Sequence, residues 1–580
     1  MSKRSLPDFA WAFGLALAVR LVVLSAFGDS PYFLPTAEDM KFYADWGQRI
    51  AAGNLTDHRA FYGLPGYPFL LGGIFALVGF SPFAVGLLQT FSEAAIAALL
   101  VQIAAWAFPG PRARVMGGLA ALGWTFFQPA QAFSVILMPT TWAVLTFWGV
   151  FCWSTRTESR SLWRPWLGIG LLTGLVATLV ATVFFVLPLP IAAAVRNLRK
   201  PGAILAAVAC LLAGVVGGTS PCWLHNYFIA GEPVLLSAHS GLNFWVGNNP
   251  AANGYPKLPP GLRASQAGML KDSIRVAEKA AGHPLKRAEV SKYWSAKANA
   301  YLHEHPREWL LLIATKIKNV WNAAQYDDLS IITPLRDEGV VTPGLRFGWV
   351  AALAIPGLLL AWRRYPRSRW IAAAVCLHMA ALLPVFVTER YRLAAVPGLL
   401  LLAACGLSEL QQALASRRWK QTGAWIGAGA AAWVFVNLPP HEPSLLWLDT
   451  YNSGLKALET GDMARAREKL ERAYAYAFAN AEVNTSLGNY WLHLNDFPRA
   501  KWFYQRALQI DPATLEALNN LALLEMTEGR LGFAKALLTA ALQIEPDDAK
   551  VIALIAYCDR KLQQKGLSSP ERHGNSLPTP

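Results

Sequence analysis

FAWAFGLALAVRLVVLSAF, residues 9–27, is an apolar run long enough to cross a bilayer as one helix, with a single charge inside it at Arg20. About twenty apolar residues rising 1.5 Å each match a hydrocarbon layer of roughly 30 Å. Lys3 and Arg4 precede the run and no convincing cleavage signal follows it, so it reads as a retained first membrane helix. Comparable blocks recur near 83–107, 113–130, 133–153, 203–219, 346–362, 370–387, 393–411 and 422–437. Residues 166–195 are expected to form two short helices, out and back, and the stretch from Gly66 to Phe80 an interfacial or re-entrant segment. The expected fold is all-α, a polytopic bundle of about eleven membrane helices. Composition agrees, because 54% hydrophobic residues, 15% charged residues and a mean hydropathy of +0.29 lie far from a soluble chain of 580 residues.

Basic residues fall in short clusters between the apolar blocks: Arg112/Arg114, Arg156/Arg160/Arg164, Arg196/Arg199/Lys200, Arg363/Arg364/Arg367/Arg369 and Arg417/Arg418/Lys420. Lys and Arg collect on the cytoplasmic side of membrane helices, so the net charge of +15 reads as membrane anchoring, not nucleic-acid binding. Placing every cluster inside puts the N-terminus in the cytoplasm and leaves two long external loops, 28–65 and 220–345. An odd number of crossings then leaves the C-terminus outside. The six cysteines show no CxxC spacing and lie mostly in or beside apolar blocks, which implies neither a metal cluster nor a disulfide framework.

After Pro443 the chain repeats itself at an interval of 34 residues: Gly454, Gly488 and Ala522, then Ala466, Ala500 and Ala534, then Ala473, Ala507 and Ala541. Small residues where paired helices touch, with aromatic and aliphatic residues between, are the tetratricopeptide pattern. The expected organisation is a membrane domain over 1–438, a linker over 439–446, three repeats with a capping helix over 447–566, and a disordered tail over 567–580. The repeats are expected to form an α-solenoid that binds a protein partner.

The external loops carry the chemistry. The first contains TAEDMKFYADW (36–46) and FYGLPGYP (61–68); the second contains SPCWLHNYFIAGEPVLLS (220–237) and GLNFWVGNNPAANG (241–254); TERYRLAAVP (388–397) lies at the external end of a late helix. An isolated acidic residue in a loop is usually only solvated. Here an Asp four residues before a Tyr, just past the first membrane helix, resembles the Asp-x-x-x-Tyr motif of the GT-C membrane glycosyltransferases, the superfamily of protein O-mannosyltransferases and lipid A aminoarabinose transferases. The resemblance runs from about Val19 to Leu410. Three positions depart from it: His225 stands where relatives usually have Arg, residues 177–183 lack a basic side chain, and Gln325 replaces a common Glu.

The resemblance implies transfer of a sugar from a polyprenyl-phosphate donor to a hydroxyl of a glycan, lipid or protein acceptor at the external face of the bacterial inner membrane. Asp39 would be the general base and Glu38 the adjacent second candidate. Arg390 and Arg392 would neutralise the departing lipid phosphate. Tyr43, His225, Asn226, Asn248 and Asn249 complete the expected substrate site. No cofactor is called for with certainty; a divalent cation is the one addition the chemistry would admit. The competing expectation is a non-catalytic envelope assembly factor that recruits partners through its repeats. Reporter fusions placed after Pro443 test the topology: an external signal is expected, and a cytoplasmic one would reverse the assigned sidedness.

Overall fold

The computed structural model describes residues 6–35, 38–157, 163–198, 200–259, 262, 266–439 and 447–564. The expected linker, apart from Pro439, and the expected tail lie outside these residues. The chain divides into two compact units, one ending at His441 and the other starting at Glu442.

Among the described residues of the first unit every named element is a helix, and the sole strand-like pairing is one isolated backbone bridge between Phe127 and Leu345. Among the described residues four helices are long and apolar enough to cross a membrane: Phe9–Gly28, Pro82–Ala107, Pro201–Ile229 and Glu389–Ala415. A fifth is counted if the pair Gln128–Val135 and Thr140–Arg156, bent by 115°, is taken as one span. The sequence expectation was about eleven. The other apolar blocks fold into shorter or less apolar helices, such as Arg112–Thr125, Trp163–Ala177 and Ser368–Ala380. Proline explains several breaks. Pro139 precedes the bend, Pro188 starts a new helix, and Pro221 lies where Pro201–Leu224 passes into a π-helical turn over His225–Ile229.

Block 166–195 forms two short helices, Trp163–Ala177 and Pro188–Asn197, joined by a 3₁₀ turn over Ala181–Val186. The first of them packs on Pro201–Leu224 through facing glycines. A Cβ on Gly170 would sit 2.0 Å from the carbonyl oxygen of Leu211, and one on Gly214 would sit 2.4 Å from that of Leu167. Gly174 and Gly218 repeat the arrangement four residues on, the small-x-x-x-small spacing that lets two backbones touch. Gly66–Val78 is a 13-residue helix packed against Glu38–Ala51 through Leu71 and Phe75.

Both long loops of the sequence reading contain helix among the described residues, a single one, Glu38–Ala51, in the first and several in the second. The second contains Ser240–Gly247, Gln266–Ala281, Arg287–Glu304 and Pro306–Trp321. Three of these, with Phe386, enclose a small separate core around Leu242, Trp245, Met269 and Trp294. Apolar residues at helical spacing supply a buried face that the overall polarity of the segment concealed.

Charge distinguishes the two ends of the bundle. Glu409 accepts from Arg112 at 3.2 Å, from the Tyr365 hydroxyl at 2.8 Å, and from Arg364. Arg367 donates to the carbonyl of Trp106, Arg156 to that of Gln102, and Asn197 to that of Thr157. With Arg196 lying 5.4 Å over the Trp370 ring, four of the basic clusters meet neighbouring helices at one end. Arg390 lies nineteen residues before Glu409 in the continuous helical stretch Glu389–Ala415, about 28 Å away at 1.5 Å per residue. Arg20, fully buried, donates to the carbonyls of Thr125 at 2.5 Å and Trp124 at 3.0 Å and faces Glu93 at 3.5 Å. Thr141 donates to the other Glu93 oxygen at 3.0 Å.

The described residues of the second unit form three helical hairpins and a closing helix. First helices start at Trp447, Ala481 and Leu515, and second helices at Met463, Phe497 and Leu531, each 34 residues apart; Ala549–Gln564 closes the array. These are tetratricopeptide-like repeats. Ala466, Ala473, Ala500, Ala507, Ala534 and Ala541 are all buried, as close packing of paired helices requires. A Cβ on Gly488 would meet the Tyr504 ring at 2.5 Å. Asp462, Asn480 and Asp496 each cap a following helix by accepting a backbone N–H.

Replacing Arg20 by Ala leaves Glu93 buried beside a lost cation and should cost about 3–5 kcal/mol. The measurement is thermal unfolding in detergent, with the double variant Arg20→Met/Glu93→Gln expected to recover part of the loss.

Candidate active site

The helix Glu38–Ala51 places Asp39 and Tyr43 four residues apart on one face. Asp39 accepts from Arg390 Nη1 at 2.6 Å, across 351 residues of sequence. The other terminal nitrogen, Nη2, lies 2.7 Å from Asp328 Oδ2. One guanidinium therefore bridges two carboxylates, and all three side chains are nearly buried. Thr388 caps the short helix Glu389–Arg392 that carries Arg390, its hydroxyl accepting from the N–H of Tyr391.

Tyr43 turns its ring edge to Tyr67, with centroids 5.3 Å apart, and burial raises its hydroxyl pKa with Asp39 adding to the effect. Tyr67 donates to Gln89 at 3.1 Å, and Gln89 in turn donates to the carbonyls of Ser134 and Ile136. Burial pushes the Asp328 carboxyl up to about 6, Arg390 pulling against it and Asp39 adding to it. His239 stacks on Tyr62 at 4.5 Å, and burial brings its pKa down to about 4, so the ring is neutral at neutral pH. The charge of Asp39 is felt at both Tyr62 and His239. Four polar atoms in this group are buried without a hydrogen-bond partner among the described residues: Tyr62 Oη, His239 Nε2, Asp328 Oδ1 and Arg390 Nε.

The structure therefore brings together Asp39, Tyr43 and Arg390, and adds Asp328, Tyr62 and His239. The other expected site residues are engaged elsewhere. Arg392 is fully buried, paired with Glu389, donates to the carbonyls of Asn322 and Ala324, and lies 3.7 Å over the Phe347 ring. These contacts commit it to holding the chain in place. Gln325 donates to Glu389 at 3.4 Å. Glu38 opens the helix, but its side chain lies outside the described residues.

His225 contacts the Thr56 hydroxyl at 2.6 Å and stacks on Phe61 at 3.9 Å. Asn226 accepts from the N–H of Phe61 and donates to the carbonyls of Val234 and Leu236. Together they staple the first loop to the second. Glu232 strengthens the staple, one oxygen accepting from the N–H of Ala60 and the other from that of Ala288. Asn248 accepts from Lys316 at 3.0 Å, and Asn249 shapes its own turn by accepting from the N–H of Ala251. Lys316 is buried, and burial brings its pKa down to about 7.

Sequence reasoning missed Asp328. The signal was the pair Asp327-Asp328 in an otherwise apolar stretch, three residues past the Gln325 departure. Tyr62 stood inside a quoted motif, whereas His239 had no motif around it. Among the described residues no group of three or more His, Cys, Asp or Glu gathers to hold a metal ion.

Comparison with known proteins assigns no family to this arrangement. No family model matches the chain, and no curated protein matches it. Among solved structures, the chain is similar to the APC/C hetero-tetramer Cut9-Hcn1 at 10% identity and a TM-score of 0.20, over 90% of this chain and 96% of that one. So low a score carries no argument about fold or function.

Removal of the bridging cation should be visible in stability. Arg390→Gln leaves two nearly buried carboxylates facing each other and is expected to cost about 3–5 kcal/mol at pH 7.5. Acidification to pH 5.5 should return part of this, because Asp328 with its raised pKa takes up a proton and the repulsion ends. Melting temperatures at the two pH values, with wild type showing the smaller gain, check this.

Proposed function

We propose that the chain is a membrane glycosyltransferase of the GT-C type, moving a sugar from a polyprenyl phosphate to an acceptor hydroxyl at the external face of a bacterial cell membrane. The observation that carries this reading is the 2.6 Å pair between Asp39 and Arg390, which joins the acid of the first external motif to the arginine of the last. A transferase of this kind needs a base and a phosphate-binding cation within one site, and these two residues supply both.

In the reaction the acceptor oxygen forms a bond to the anomeric carbon as the bond from that carbon to the phosphate oxygen breaks. The acceptor proton passes to Asp39, and the lipid phosphate departs against Arg390. Tyr43 lies close enough to feel the charge of Asp39 and is itself packed on Tyr67. Lipid is the expected surround, since Leu205, Leu212, Val216, Phe228 and Ile229 leave the helix Pro201–Ile229 with an exposed apolar face. The repeats support a further role in holding a protein partner.

Asp39→Asn should reduce transfer from polyprenyl-phosphate sugars by about a hundredfold or more. Turnover is read with a panel of such donors, beside a melting curve that shows the variant folded. Retained turnover would remove Asp39 as the base. Absence of turnover in wild type with every donor would favour the scaffold alternative.

A further inference from the structure

Arg390 is the cation expected to meet the lipid phosphate, yet both of its terminal nitrogens are already engaged by protein. Nη1 holds Asp39 and Nη2 holds Asp328. A phosphate is bound best by two parallel N–H groups, and on a guanidinium one such edge is formed by Nε and Nη2. Among the described residues Nε has no hydrogen-bond partner but is buried, with Tyr391 against the same guanidinium, and Nη2 belongs to Asp328, so a phosphate reaching this edge displaces Asp328 and shifts the Tyr391 ring. Asp39 sits on the remaining nitrogen and does not compete for the edge.

Charge makes the same distinction. Two carboxylates and one guanidinium sum to one negative charge in a nearly dry site, and an arriving phosphate would raise that further. We propose that Asp328 is the proton-accepting partner of ligand binding: a lipid phosphate takes the Nε/Nη2 edge of Arg390, and Asp328 gives up that edge and takes a proton from solvent. Asp39 stays on Nη1 as the base. The inference rests on the functional reading above and adds to it a residue that positions Arg390.

Asp328 is suited to the exchange by its surroundings. Among the described residues its Oδ1 is buried without a hydrogen-bond partner, and the backbone N–H of Asp328 itself only opposes the upward push of burial on the carboxyl. The charged and titratable groups acting on it are Arg390 and Tyr391 from the helix Glu389–Arg392 and Asp39 from Glu38–Ala51. Its neighbour Asp327 is occupied, accepting from the N–H groups of Leu329, Ile331 and Ile332. Burial already holds the Asp328 carboxyl near 6, within reach of neutral solvent. Loss of the Nη2 contact raises it further, because the cation that opposed protonation is then paired with the phosphate, whose own negative charge adds to the effect.

The test is calorimetry of the purified full chain at pH 7.5 with sugar-free undecaprenyl phosphate, in two buffers of different ionisation enthalpy, which counts protons taken up per ligand bound. Wild type should take up about one proton more than Asp328→Asn, the variant carrying the titration of the phosphate itself and serving as its control. Wild-type affinity should also fall by up to about tenfold per pH unit relative to the variant above the Asp328 midpoint. Asp328→Glu, which restores the carboxylate, should restore the extra proton. Equal uptake in wild type and Asp328→Asn overturns the proposal while leaving lipid-phosphate binding intact. Failure of wild type to bind undecaprenyl phosphate overturns the functional reading, and this inference with it.

Discussion

A guanidinium shared between two carboxylates is the constraint around which the candidate site is arranged. Neither Asp39 nor Asp328 is well tolerated out of water alone, and neither is Arg390. Their mutual pairing fixes the first residues of the helix Glu38–Ala51, the segment around Tyr326 and the turn at Thr388 against one another. Tyr43, Tyr62 and His239 then take their places around a charge whose position is already decided. The same rule operates at Arg20 with Glu93, at Arg392 with Glu389 and at Glu409 with its arginines. The pairs of Arg20, Glu409 and Arg390 join distant segments and so act as tertiary ties, whereas Arg392 and Glu389 pair within one short helix.

The sequence revealed different parts of this arrangement to different degrees. The 34-residue period shows in the spacing of small residues, because every repeat solves the same packing problem with the same residue types. Asp39, Tyr43 and Arg390 stand in motifs and meet in space. Arg392 shares a motif with Arg390 and points elsewhere, since two residues on a short helix face different neighbours. Asp328 had no periodic or motif signal; its role follows from a contact across 62 residues that spacing does not encode.

The number of spanning helices was the part least legible. Apolarity along the chain records which residues avoid water, but not where a helix bends or ends. Bends here follow backbone chemistry at Pro139, Pro188 and Pro221, and the facing glycines at Gly170 and Gly214 pack the short helix Trp163–Ala177 closely on the long Pro201–Leu224. The external segments carried the opposite bias. Their polar content suggested loops, yet Trp245 and Trp294 anchor a satellite core of their own.

Tyr62 and His239 are joined by more than their stacked rings. The N–H of Ala238 donates to the carbonyl of Phe61 at 2.8 Å, and the N–H of His239 donates to that of Tyr62 at 3.0 Å. Glu232 and Asn226 hold the same two strips of backbone from behind. These hydrogen bonds set the spacing of the two rings, and under the proposed function a group approaching Asp39 from that side would meet a spacing fixed by the backbone. Selectivity there would be set by the dimensions of the chain itself, with little accommodation by movement.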